Sequence, residues 1–297
     1  MPQQSHAPGE PGAGLGAFLR SRRARIRPQD VGVPDYGRRR VPGLRREELA
    51  QLAGVSAPYY IRFEQGRAEN VSAEIVDAIA KVLRLDTDEL AHLRALVRAT
   101  AHRPARTAAV SGPQRVRPGL LRLLETMRDT PAFVVGRRTD ILAWNPLAAA
   151  LLTDFGQLPA ERRNKAWLVF CHDEVRSRFV NWPVKARDIV AYLRMDLGRH
   201  PGDPSFAALV AELTARSPEF GPLWDAQEVR DKTHGGYHLR HPSAGEFTLS
   251  YESLKLPDDP DQTLITYTAE ADTPSQAALG ILADQVRSEP AAVVPAG

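Results

Sequence analysis

Apolar residues recur at helical spacing through the first third of the chain. In LGAFLRSRRARI, Leu15, Phe18, Leu19, Arg22 and Ile26 fall on one side and arginines occupy the other faces, which predicts an amphipathic helix. A Pro/Gly-rich loop follows. LRREELAQLAG then predicts a short helix with Leu49, Ala50, Leu52 and Ala53 turned inward. GVS is a tight turn in which the Ser56 hydroxyl caps the next helix. That helix, APYYIRFEQG, takes Pro58 in its first turn, where a missing N–H costs little, and ends at Gly66. SAEIVDAIAKVLRL is capped by Ser72, carries Glu74 early and buries Ile75, Ile79, Val82 and Leu83. DTDELAHLRALV closes the bundle, with acidic residues at the end where the helix dipole favours them.

The pattern changes after AHRPARTAAVSGP, which has no apolar period and reads as a linker. AFVVG and ILAWN are short strands joined by RRTD, and Pro146 then opens a helix capped by Asn145. Helices follow around RDIVAYLRMDL and PSFAALVAELTARS. GYHLRH, GEFTLSYESLKL and QTLITYTAE alternate apolar and polar residues between Gly and PDDPD turns, as antiparallel strands do. Strands, then helices, then strands make an α+β domain with one curved sheet. The expected division is a disordered tail (1–14), a helical domain (15–100), a linker (101–113), the α+β domain (114–272) and a C-terminal helix and tail (273–297).

Composition sharpens this picture. A chain of 297 residues is comfortable for two domains. No apolar run approaches the roughly 18 residues of a membrane helix, and the N-terminus lacks a signal-peptide core, so a cytoplasmic location is expected. A single cysteine, Cys171, excludes a disulfide framework and a Cys-rich zinc site. The net charge is only +3, but Leu15–Arg67 holds 12 arginines against 5 acidic residues. A basic segment joined to a mildly acidic body points to one part that meets a polyanion.

The segment LAQLAGVSAPYYIRFEQGR is where charge and pattern coincide. Two short helices joined through Gly54 cross steeply, with Ala50 small at their approach and Val55, Tyr60 and Phe63 between them. Ser56, Ala57, Pro58, Tyr59, Ile61 and Arg62 then lie at the start or on the outer face of the second helix. In a major groove Arg62 is the residue able to hold guanine through two hydrogen bonds, while Ala57, Pro58 and Ile61 offer apolar contacts. Arg38, Arg39, Arg40, Arg45, Arg46 and Arg67 are placed to clamp phosphates. ELAQLAGVS, an aromatic-rich helix and EQGR together resemble the Xre/Cro type of helix-turn-helix. One such motif reads few base pairs, so a homodimer on two half-sites about 34 Å apart is expected.

The strand pair leading through Asn145 into an Ala-rich helix resembles the opening of a PAS domain. Beyond that, the chain resembles the MmyB-like transcription regulators. The likeness rests on GRRRVPGLRREELAQLAGVSAPYYIRFEQGR, ILAWNPLAAALL, RRNKAWLVF, Leu223–Trp224 and the strand-rich end, and spans about residues 15–272. It implies a multidomain protein: an all-α helix-turn-helix bundle that binds double-stranded DNA, followed by an α+β PAS-like domain that binds a fatty acid or similar acyl ligand. Trp144, Leu147, Leu151, Trp167, Phe170 and Trp224 are the large apolar residues at the expected edges of a cavity, beside Asn145. Arg163 with Asn164 is the expected carboxylate anchor, because an arginine holds a carboxylate with two parallel hydrogen bonds.

Catalytic and metal signals are weak. His234, His238 and His241 have a spacing that suits a metal only on a helix, which Gly235, Gly236 and Pro242 oppose. No phosphate loop, HExxH or GxSxG occurs, so no enzyme, metal or cofactor is expected. A DNA-tethered enzyme, and a C-terminal domain that binds only a protein partner, stay open as alternatives. The interior of that domain separates them: a cavity with a polar end favours ligand sensing, and a filled core with an exposed apolar patch favours a partner.

Overall fold

The computed structural model describes residues 11–33, 43–101, 113–200, 202–231, 233–288 and 294–295. They form two compact units: one gathers the described part of 1–110 with 194–208 and 224–230, and the other holds the remainder. The division is interleaved in sequence, where pattern alone gave contiguous blocks. The linker expected at 101–113 falls almost wholly outside the described residues, as do residues 1–10 of the expected disordered tail, whereas residues 11–14 of that tail are helical, since the first helix begins at Pro11.

The first unit is built on α1 (Pro11–Arg25), α2 (Arg46–Leu52), α3 (Ala57–Glu64), α4 (Ala73–Val82) and α5 (Thr87–Ala101). Leu15, Phe18 and Leu19 of α1 are buried together with Leu49, Tyr60, Phe63, Ile79 and Leu93, one residue or more from every helix. Arg22 shares the apolar stripe of α1 and is buried as well, because its Nε pairs with Glu89 at 2.8 Å and its guanidinium lies 4.6 Å over the Phe18 ring. Burial lowers its pKa to about 10, which leaves it charged at neutral pH. Leu52 departs from expectation and is 40% exposed. The inward face of α2 is set by Arg46, Leu49, Ala50 and Ala53, and at 100° per residue Leu52 stands about 110° from its centre. Residues 194–208 and 224–230 complete this unit. Arg22 Nη2 donates to the Gln227 carbonyl at 2.7 Å, Arg194 donates to Gln227 Oε1 at 2.8 Å, and Val229 enters the bundle's core.

Along the rest of the chain run α6 (Pro118–Thr126), β1 (Ala132–Val135), β2 (Ile141–Trp144), α7 (Pro146–Leu151), α8 (Lys165–Cys171) and α9 (Asp173–Arg178). Then come α10 (Trp182–Arg199), α11 (Pro204–Arg216), α12 (Phe220–Asp225), β3 (His234–His241), β4 (Gly245–Leu256), β5 (Asp259–Thr268), α13 (Pro274–Ser288) and β6 (Val294–Pro295). The strands form one antiparallel sheet in the order β3-β4-β5-β1-β2-β6. Tyr237, Leu239, Phe247, Leu249 and Tyr251 alternate inward along β3 and β4, as their period of two predicts. The run AFVV in β1 is apolar throughout because both its faces are covered. Phe133 and Val135 face the main core, while Val134 packs with Leu120 and Leu124 of α6. Helix α13 buries Ala278, Leu279, Leu282 and Ala283 in that main core, so it is part of the domain and not an appendage. No helix among the described residues is long and apolar enough to cross a membrane.

Candidate DNA interface and ligand cavity

The turn between α2 and α3 is built as its residues require. Gly54 takes a left-handed φ of 70°, and Ser56 Oγ accepts the Tyr59 N–H at 3.3 Å to cap α3. Tyr60, Phe63 and Glu64 are buried beneath α3. On its other side Pro58 and Arg62 are exposed, and Ala57, Tyr59 and Ile61 are half-buried. Arg45 before α2 and Arg67 after α3 are also exposed. Arg38, Arg39 and Arg40 lie outside the described residues.

Arg46 is committed inward. Its Nε and Nη2 both donate to Glu64 Oε1, at 2.9 and 2.7 Å, and Arg23 approaches Glu64 Oε2 at 3.4 Å. Donating these hydrogen bonds to the Glu64 carboxylate holds the Arg46 pKa above its ordinary value. Arg46 thus ties the start of α2 to the end of α3 and fixes how the two helices cross.

In the second unit a cavity of about 40 Å³ lies between the inner face of the sheet and α10. That is room for a few water molecules. Val135, Ile189 and Ile265 form its apolar wall, and its polar end is made by Lys165, Lys185, Asp188, Tyr237 and Tyr251. The Tyr237 hydroxyl donates to Asp188 Oδ2 at 3.1 Å, and its ring stacks on Tyr251 at 4.9 Å. Lys185 is buried with its Nζ 4.1 Å over the Tyr237 ring and 4.8 Å over Phe179. Lys165 opens α8, its Nζ 5.9 Å from the Phe133 ring, and burial lowers its pKa to about 8. Burial pushes the phenols of Tyr237 and Tyr267 far up, so both stay protonated.

A family model described as the MmyB-like transcription regulator ligand binding domain matches residues 116–282, more than half of the chain. The chain belongs to the MmyB-like transcription regulators. A second model, a helix-turn-helix domain, matches residues 14–93. None of the curated proteins matches. This MmyB-like chain is therefore a DNA-binding transcription regulator joined to a small-molecule-binding domain, with an N-terminal helix-turn-helix bundle and an α+β second domain.

None of the nine residues that the sequence suggested for a ligand lines this particular cavity. Trp144, Leu147, Leu151 and Phe170 are plain core. Asn145 caps α7 by accepting from Ala148 N at 2.9 Å and also accepts from Ala132 N at 3.0 Å. Its amide donates to the Met127 and Thr130 carbonyls, both at 2.7 Å, so all its capacity is used. Arg163, expected as the carboxylate anchor, gives its Nε to the carbonyls of Phe155 at 2.9 Å and Leu158 at 3.1 Å, with the guanidinium 5.5 Å from the Trp144 ring. Asn164 is buried, accepts from Trp167 N at 2.9 Å, and donates to Asp140 Oδ1 and the Arg138 carbonyl, both at 2.8 Å. Trp167 gives its indole N–H to Glu212 at 3.2 Å. Trp224 belongs to the first unit, where the Arg194 guanidinium covers its ring at 3.9 Å.

The residues that do line the cavity carried a signal in the sequence. Of the 39 basic residues only five are lysine, Lys81, Lys165, Lys185, Lys232 and Lys255, and two of these five meet in one cavity. The three histidines lie on β3, with His234 and His238 exposed on one face and His241 buried on the other. Ser243 N donates to His241 Nδ1 at 3.2 Å, and Nε2 lies 3.0 Å from the Ala150 carbonyl, which fixes the ring as the Nε2–H tautomer. Among the described residues no group of three or more His, Cys, Asp or Glu is placed to hold a metal ion. Partial burial raises the Cys171 thiol pKa, which makes it a poor thiolate.

Proposed function

We propose that this chain reads a specific duplex sequence through α3, as a homodimer, and that a small acyl ligand in the Lys165–Lys185 cavity sets how tightly it binds. The observation that carries the DNA reading is the two-sidedness of α3: Tyr60, Phe63 and Glu64 anchor it from beneath while Pro58 and Arg62 face outward. In this reading Arg62 holds a guanine, and Ala57, Pro58, Tyr59 and Ile61 make apolar contacts, for example to a thymine methyl. Ser56, Arg45, Arg67 and Arg38–Arg40 meet phosphates. Arg46 acts through Glu64, as a positioning residue.

The two lysines support a ligand with an electron-rich oxygen end, a carboxylate or a carbonyl. The volume favours a short chain, since a long-chain fatty acid needs Tyr237 and Tyr251 to move. Helix α10 carries Lys185, Asp188 and Ile189. A ligand shifts DNA affinity only as far as it binds two arrangements of the protein differently. The test uses the full chain, a duplex enriched by it from a random pool, and hexanoate and palmitate as probes. Enrichment of two related half-sites, with an affinity that hexanoate changes in wild type but not in Lys185→Ala, supports the reading. An enriched duplex whose affinity no acyl probe alters removes the ligand part, and no enrichment removes the whole.

A further inference from the structure

We propose that Lys165 is a nucleophile: its amine captures a small aldehyde or ketone as a reversible imine in the cavity it shares with Lys185 and Asp188. The inference rests on reading that cavity as the ligand site. Its first support is the choice of side chain. A chain that writes nearly all its cations as arginine places lysine at both basic positions of the cavity. A carboxylate asks only for charge, and arginine serves it better with two parallel hydrogen bonds. A primary amine is what arginine cannot supply.

The two lysines are also not equivalent. Lys185 rests on two aromatic rings, at 4.1 and 4.8 Å, which favours its ammonium form. Lys165 has one ring at the longer distance of 5.9 Å, and among the described residues nothing hydrogen-bonds its Nζ. Burial lowers the pKa of Lys165 to about 8, which leaves about a tenth of it as free base at pH 7.

The chemistry balances without an oxidant or reductant. The Lys165 ammonium gives up one proton, and its lone pair forms the C–N bond as the carbonyl π pair moves to oxygen. Proton transfer from nitrogen to oxygen gives a carbinolamine. Protonation of its hydroxyl, by the proton first released, expels water as the C=N bond forms. The net change is ammonium plus carbonyl to protonated imine plus water. Asp188, which accepts a hydrogen bond from Tyr237 and lines the same cavity, is the group placed to relay these protons.

The test treats the full chain with limiting butanal and cyanoborohydride, which reduces imines to stable alkylamines, followed by peptide mapping. With its lowered pKa, Lys165 should be butylated faster than the exposed Lys81 and Lys255, by about tenfold or more. Lys165→Arg should lose the fast label, and Lys185→Met should keep it on Lys165. Equal labelling of all lysines in wild type, which needs no variant to fold, overturns the proposal. A parallel arm measures thermal unfolding with butyrate, which cannot form an imine. If butyrate stabilises the wild type and Lys165 is not preferentially labelled, the cavity reading stands and imine capture falls. If neither probe acts, both fall.

Discussion

Arg46 presents both Nε and Nη2 to one oxygen of Glu64, at 2.9 and 2.7 Å, and the Glu64 carboxylate is buried. Removing Arg46 leaves the buried Glu64 carboxylate with Arg23 alone, 3.4 Å away, while removing both leaves Arg23 on the Leu44 carbonyl. Arg46→Met should therefore cost about 2 kcal/mol, reduced from the fully buried case because Arg46 is half-exposed. Arg46→Met with Glu64→Leu should recover most of that loss, since Arg23 keeps the Leu44 carbonyl as a partner. Denaturant unfolding of the full chain checks this cycle. Additive losses would show that the pair is not coupled.

Asn145 joins four backbone groups on three segments, and its isostere Asp cannot. Asn145→Asp sets a carboxylate oxygen against the Met127 and Thr130 carbonyls, each 2.7 Å from the present amide nitrogen. A loss of about 3 kcal/mol or more is expected for the second unit at neutral pH. A loss below about 1 kcal/mol would mean that the network is not needed.

His92 makes the first unit sensitive to acid. Its ring packs 5.0 Å from Phe18, and burial, with Arg194, Arg22 and Arg199 nearby, lowers its pKa to about 3. In the unfolded chain the same ring titrates near 6.5. Between those values the unfolded state binds the extra proton. Stability is therefore complete above about pH 6.5 and lost as pH falls toward 3, by roughly 2 kcal/mol at pH 5. Unfolding followed against pH should show that slope in wild type and a flatter one in His92→Leu. Identical slopes would assign the acid sensitivity to other groups.

What the sequence made legible was local. The 3.6-residue spacing of Leu15, Phe18 and Leu19, the caps Ser56, Ser72 and Asn145, and the alternation through Phe247, Leu249 and Tyr251 all describe neighbours along the chain, and the structure has them as read. What it left unread was long-range partners. Arg163 looked free because the Phe155 and Leu158 carbonyls it binds are invisible as a motif, and Trp224 looked like a cavity wall because nothing local places it beside Arg194. Lys165 sits in the same RRNKAW motif as Arg163 and Asn164. Only the rarity of lysine in the whole chain marked it out.

The central claim is that α3 reads base sequence through Arg62, and anisotropy titration of the full chain tests it most directly. The duplex enriched by the protein is compared with single-base variants, at several salt concentrations, for wild type and Arg62→Ala. The account predicts that wild type loses about 1–3 kcal/mol when one guanine is replaced, and that Arg62→Ala loses this preference while keeping a steep salt dependence from its phosphate contacts. An Arg62→Ala variant that weakens every duplex by the same factor would contradict it.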